Sequence, residues 1–162
     1  TDGANPADID DVKSAINPDD KPTLVAATDG NHGRAVAHMA AALADLGCVE
    51  ISLGDTIGQG RPDTVATMLD AVLARFPAHQ LAGHFHDTAG RALENIGTAL
   101  DKGLRVFDAS VGGLGGCPYA PGAAGNVDTL KVDAMLKMLG FDTGLDGAKL
   151  REAAAFAKGL RA

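Results

Sequence analysis

The sequence predicts an α/β fold built on a parallel sheet, and three observations predict it. Short apolar or β-branched runs alternate four times with longer segments of helical spacing. Glycine-rich turns separate the two kinds of segment, with 21 glycines among 162 residues. Polar residues able to do chemistry, Asp55, His84, His86, Asp87 and Asp108, gather at the strand ends, where α/β proteins place their ligand-binding loops.

Taken in order, residues 1–21 mix Asp, Pro and Asn with one short helical hint, ADIDDVKSAI, and read as a loosely attached leader. The rest, 22–162, reads as a single α/β domain. In it TLVAAT (23–28) is a strand, DGNHG a break, and RAVAHMAAALADLG an alanine-rich helix. VEISLGDT then precedes the helix PDTVATMLDAVLARF, and LAGHFHDT precedes GRALENIGTALDKG. VFDASVGG leads through a long glycine-rich loop to VDTLKVDAMLKML, and DGAKLREAAAFAKGL closes the chain as a helix. Four βα units are half of a (β/α)8 barrel, which takes about 250 residues when complete. The expected architecture is therefore a partial (β/α)8 (TIM) barrel or an open three-layer sheet. Open strand edges invite pairing with a second copy, so a homodimer is expected.

Composition narrows the function. Hydrophobic residues make up 46% of the chain, enough to bury a core. With 21 acidic against 14 basic residues and a net charge of -7, no basic stripe is available for a phosphate backbone, and nucleic acid is not an expected partner. No apolar run reaches the roughly 18 residues of a membrane span, and the acidic opening does not resemble a signal peptide. Two distant cysteines, Cys48 and Cys117, fit reduced thiols, so a cytoplasmic protein is expected. Cys48, at a helix–strand junction, reads as a core residue.

Two constellations carry chemistry. In GHFHDT, His84 and His86 lie two apart on a strand, so both imidazoles face one side while Phe85 faces the other. That pattern serves a divalent cation or, equally, a pair of ordinary hydrogen-bonded histidines. Asp87 favours the former, because a metal-bound imidazole needs a carboxylate or carbonyl to hold its tautomer. The second constellation is VGGLGGCPYAPGAAGN (111–126), whose glycines allow a loop to fold over a ligand. It carries the thiol of Cys117 and ends on Asn126, a neutral oxygen ligand for a hard cation.

ISLGDTIG (51–58), HFHDT (84–88) and GGLGGCPYAPGAAGN (112–126) together resemble the successive signatures of the hydroxymethylglutaryl-CoA lyases, over about residues 47–160. The resemblance implies a (β/α)8 enzyme that cleaves 3-hydroxy-3-methylglutaryl-CoA, an acyl-CoA, to acetoacetate and acetyl-CoA with Mg2+ or Mn2+. It implies His84, His86 and Asn126 as metal ligands, His84 also as acid/base, Cys117 as the catalytic thiol of a lid loop, and Asp55 as a strand-end aspartate needed for activity. The family's first strand contributes an Arg–Asp pair that has no counterpart here, and Leu130 stands where the family carries a glutamate. The alternative function is therefore a non-catalytic α/β module that binds metal or ligand weakly. Asp55 or Asp29 would be the compensating carboxylate. Residues 22–39, PTLVAATDGNHGRAVAHM, resemble fold-type II PLP enzymes, most closely the diaminopropionate ammonia-lyases. Their Schiff-base lysine and phosphate loop have no match, so PLP is not expected. This segment is instead expected to fill the barrel slot before ISLGDT, making the chain a hybrid.

Overall fold

The computed structural model describes residues 24–28, 33–115 and 124–159, with side chains from residue 36 onward. The expected leader, Asp29, most of the GNHG turn and Cys117 lie outside the described residues. Four strands, β1 (Leu24–Thr28), β2 (Ile51–Asp55), β3 (Leu81–Phe85) and β4 (Val106–Asp108), form one sheet in the order β1-β2-β3-β4. All three pairings are parallel. Among the described residues five helices follow or connect them: α1 (Gly33–Asp45), α2 (Pro62–Leu73), α3 (Ala92–Asp101), α4 (Thr129–Met138) and α5 (Gly147–Gly159).

Sequential strand order decides between the two expected architectures. A right-handed crossover that always advances to the next strand in the same direction leaves every connecting helix on one face. Here α1 packs on α2, α2 on α3, and α3 on α4, a single helical layer along one side of the sheet. A three-layer sheet needs a reversal of strand order, so the arrangement is an arc of a (β/α)8 barrel. Ahead of ISLGDT, β1 pairs along the whole of β2, and α1 packs against α2.

Alternation along the strands sorts side chains between the two faces. Ile51, Leu53, Leu81 and Phe85 point toward the helices and are all at most 4% exposed. They meet Val65, Met68, Leu69 and Val72 of α2 and Ile96, Ala99 and Leu100 of α3 in one core. Burying each such large side chain contributes about 1.5–3 kcal/mol before the entropy of ordering is subtracted. Gly83 belongs to this face, and a Cβ there would lie 2.8 Å from the Phe85 ring and 3.1 Å from Phe107. Cys48 is half-buried, packs against the same core and, among the described residues, has no disulfide partner.

Local rules explain the helix starts. Pro62 opens α2 with Asp63 in its first turn, and the Arg61 backbone N–H donates to Thr64 Oγ1 at 3.0 Å. Asp128 caps α4 by accepting from the Leu130 N–H at 3.0 Å. The fourth strand is shorter than VFDASVGG suggests, because its continuation turns into a 3-10 segment at Val111–Gly113. There the Ser110 N–H donates to Val127 O and the Thr129 N–H donates to Ser110 O, both at 3.0 Å. Among the described residues no helix is long and apolar enough to cross a membrane.

Candidate functional site

The site lies where β3 ends. His84 stands within β3, and His86 follows one residue beyond its last hydrogen-bonded position. Their rings share one side of the sheet, with centroids 5.2 Å apart and planes tilted by 52°. The HxH spacing therefore delivers the expected pair.

Asn126 is brought to this pair by backbone pairing. An isolated antiparallel bridge joins His86 to Asn126, with the Asp87 N–H donating to Gly125 O at 2.8 Å and the Val127 N–H donating to Phe85 O at 3.2 Å. The Thr88 hydroxyl adds a bond to Ala124 O at 3.0 Å. The Asn126 side chain is oriented in turn, since its Nδ2 donates to Leu114 O at 3.0 Å. That bond needs Gly115, whose φ is +96° and where a Cβ would sit 2.5 Å from Nδ2.

Among the described residues, two buried polar atoms at this junction have no hydrogen-bond partner: His86 Nδ1 and Asn126 Oδ1. Asn95 Oδ1 and Thr129 Oγ1 are unpartnered in the same way, so what singles out this junction is a nitrogen and an oxygen on bridged residues, side by side and free to take a ligand. His86 is only 9% exposed, and burial lowers its pKa below the ordinary 6.5, helped by the neighbouring His84. The Asp55 carboxylate and the nearby Asn126 amide oppose this more weakly. A neutral imidazole is the form that binds a metal. The donor set of two imidazoles and an amide oxygen fits a divalent cation, though with no negative charge of its own. Among the described residues no group of three or more His, Cys, Asp and Glu side chains could hold a metal.

Asp55 and Asp87 accept from the backbone of the loops and helix starts that follow their strands. Asp55 sits at the end of β2 on the helix-facing side, in register with Phe85. Its Oδ1 accepts from the Gln59 N–H at 3.1 Å and its Oδ2 from the Gly60 N–H at 2.8 Å. Asn95 Nδ2 donates to the carbonyl of the same Gly60 at 3.0 Å, and the Ala89 N–H donates to Gly58 O at 3.2 Å. Asp55 thus anchors the loop after β2, which in turn contacts the loop after β3. Asp87, expected beside the histidines, instead accepts from the Ala92 N–H at 3.2 Å and from Lys131 Nζ at 3.3 Å. Its neighbours are the start of α3 and the first turn of α4, because it leaves the strand just where the chain turns.

The carboxylate beside His84 is Asp108, whose Oδ2 lies 3.5 Å from His84 Nδ1 and accepts from the Ser52 hydroxyl at 2.8 Å. Ser52 was not legible as a site residue. The only signal was period-two alternation, which puts Ser52, Gly54, His84 and Asp108 on one face once the strand register is known. Leu130, where a glutamate was expected, lies in the first turn of α4 and contributes its N–H to the Asp128 cap. A larger cavity of about 450 Å³ lies on the helix side, lined by Leu100, Phe107, Val132, Leu136 and Phe141 among others. It is mainly apolar and separated from the histidines by the sheet.

Known proteins are similar to this chain in sequence and in fold. A hydroxymethylglutaryl-CoA lyase of Pseudomonas mevalonii is 55% identical over 112 residues, covering 69% of this chain and 37% of that protein. The crystal structure of an HMG-CoA lyase from Brucella melitensis superimposes with a TM-score of 0.79 at 67% identity, covering 80% of this chain and 46% of that one. An HMG-CoA lyase from Acinetobacter baumannii, in complex with coenzyme A and 3-methylmalate, gives a TM-score of 0.76 at 35% identity, covering 84% of this chain and 47% of that one. The chain thus spans less than half the length of each of these relatives, between 37% and 47%. With the family model described as HMGL-like matching residues 19–157, through the β1–α1 unit and on to α5, the chain belongs to the HMGL-like family.

Proposed function

We propose that this chain carries the metal-binding histidine half of a lyase site that cleaves 3-hydroxy-3-methylglutaryl-CoA to acetoacetate and acetyl-CoA. The observation that supports it is the junction of His84, His86 and Asn126, with a buried nitrogen and a buried oxygen that have no partner among the described residues. The similarity to lyases at 55% and 67% identity supplies the substrate class, an acyl-CoA.

In this reading His86 and Asn126 would hold Mg2+ or Mn2+ beside His84, and a cation there would polarise the substrate's C3 hydroxyl and carbonyl oxygens. With His86 and Asn126 kept for the cation, His84 uses its one free lone pair to take the C3 hydroxyl proton, the C2–C3 bond breaks, and C3 becomes the ketone of acetoacetate. The electron pair left on C2 forms the enolate of acetyl-CoA, which Cys117 protonates at carbon. Cys117 lies outside the described residues, but it is two residues from Gly115, whose carbonyl accepts from the Asn126 N–H at 3.3 Å. Asp55 serves by holding the loop after β2. A further carboxylate must come from elsewhere, since the two ligands named here are neutral.

The test is release of acetoacetate from 3-hydroxy-3-methylglutaryl-CoA with Mn2+ or Mg2+. Rates unchanged by His84→Ala and Cys117→Ala would defeat the assignment. The second reading, a module that binds metal or ligand weakly without turnover, is favoured by the neutral donor set. Calorimetric titration with Mn2+ and substrate separates the two, because binding without product supports the module. Among the described residues no further strand pairs with the outer edge of β1 or of the three-residue β4, which supports a homodimer, and a concentration-independent monomer mass in sedimentation would exclude it. The reduced cysteine usage supports a cytoplasmic setting.

A further inference from the structure

We propose that Asp108, held in place by Ser52, is a positioning residue that fixes His84 with its proton on Nδ1 and leaves Nε2 as the lone-pair atom. What Nε2 then does, binding a cation or exchanging a proton, rests on the function proposed above. The tautomer itself does not.

The argument begins with register. Ser52, Ala82 and Val106 are aligned across β2, β3 and β4, as are Gly54, His84 and Asp108. All of them project from the face opposite the helices. Ala82 stands between Ser52 and the fourth strand, and its small side chain lets the Ser52 hydroxyl reach Asp108 Oδ2 at 2.8 Å. Gly54, in register with His84 on the other side, puts no side chain against the imidazole. The ring therefore has Asp108 as its neighbour along the sheet.

Chemistry then sets the proton. An ionised carboxylate accepts and cannot donate, so the nitrogen facing it is stabilised as N–H. Nδ1 is that nitrogen, 3.5 Å from Oδ2. This separation is long for a hydrogen bond, so the carboxylate acts mainly through its charge. Asp108 is about half exposed at 49%, and an aspartate so exposed would ordinarily sample several rotamers. Ser52 removes that freedom. Being 1% exposed, its hydroxyl has no water to turn to, and Asp108 is the partner that satisfies it.

The test is long-range 1H–15N correlation of the histidine rings in the metal-free chain, at a pH where an ordinary imidazole is neutral. His84 is expected to show a protonated Nδ1 and an unprotonated Nε2. Asp108→Ala should move it toward the Nε2–H form, with Ser52→Ala producing a smaller shift in the same direction. His86 serves as the internal reference, and should keep its ring signals. Should Asp108→Ala fail to fold, Asp108→Asn and Ser52→Ala carry the test, since each keeps the volume nearly unchanged. A wild-type His84 protonated on Nε2, or one indifferent to these substitutions, overturns the inference. Metal binding gives a second readout: Asp108→Ala should weaken Mn2+ affinity about 10- to 100-fold. A tautomer shift in a chain that binds no Mn2+ would uphold the inference while removing the proposed function.

Discussion

His86 and Asn126 face each other across an isolated antiparallel bridge, each with a buried side-chain atom that has no partner among the described residues. Asn126→Ala removes the amide that bonds Leu114 O and the oxygen that faces the junction. Mn2+ affinity, read by titration calorimetry, should fall at least about tenfold, as should that of His86→Ala. Affinity equal to wild type in both variants would separate this junction from metal binding.

Gly115→Ala should disturb the same junction from outside it. The glycine's φ of +96° disfavours any L side chain, and the new Cβ would meet Asn126 Nδ2 at 2.5 Å. A loss of about 1–3 kcal/mol in urea unfolding is expected, with weaker Mn2+ binding alongside it. Full stability with unchanged binding would contradict the packing described at Gly115.

Asp55→Asn tests whether that aspartate works as an anchor. Both carboxylate oxygens accept backbone N–H groups, from Gln59 and Gly60, whereas an amide offers one acceptor and turns a donor toward the other N–H. The expected cost is about 1–3 kcal/mol in chemical denaturation, since a buried donor loses its acceptor. A variant as stable as wild type would show that Asp55 does not secure the loop.

Acid should weaken the attachment of the 140s loop to α4. Asp133 accepts from Lys137 Nζ at 2.8 Å and from the Thr143 hydroxyl. These bonds, Lys137 first and Thr143 next, hold its carboxyl below the usual 3.8 despite opposition from burial. A carboxyl whose folded pKa is depressed releases its proton more readily in the native state. The stability it contributes is therefore full above pH 3.8 and is lost as pH falls through the unfolded value toward the folded one. Asp133→Asn should be less stable than wild type at pH 7, and the gap should narrow near pH 3 in urea titrations. A gap independent of pH would rule out this linkage.

Much of the fold was legible because its signals are local. Alternating apolar runs marked β1 to β3, helical spacing marked α1 to α5, and Pro62 and Asp128 sat at the helix starts where their chemistry places them. The HxH of His84 and His86 was legible for the same reason, since two residues on one strand share a face whatever else the chain does. Asp87 misled because adjacency in sequence is not adjacency in space. It turns away to Ala92 and Lys131, and Asp108 takes the place beside His84.

The sequence by itself determined the strand–helix alternation, the two imidazoles on one face and the family membership, because period and motif are properties of contiguous residues. Tertiary structure alone decided that the sheet runs β1-β2-β3-β4 as a barrel arc, that Asn126 meets His86, and that Ser52 and Asp108 stand at His84. Those facts depend on strand register and on loop pairing between distant segments. A one-residue slip of register would turn every one of those side chains to the opposite face, and no local pattern encodes which register wins.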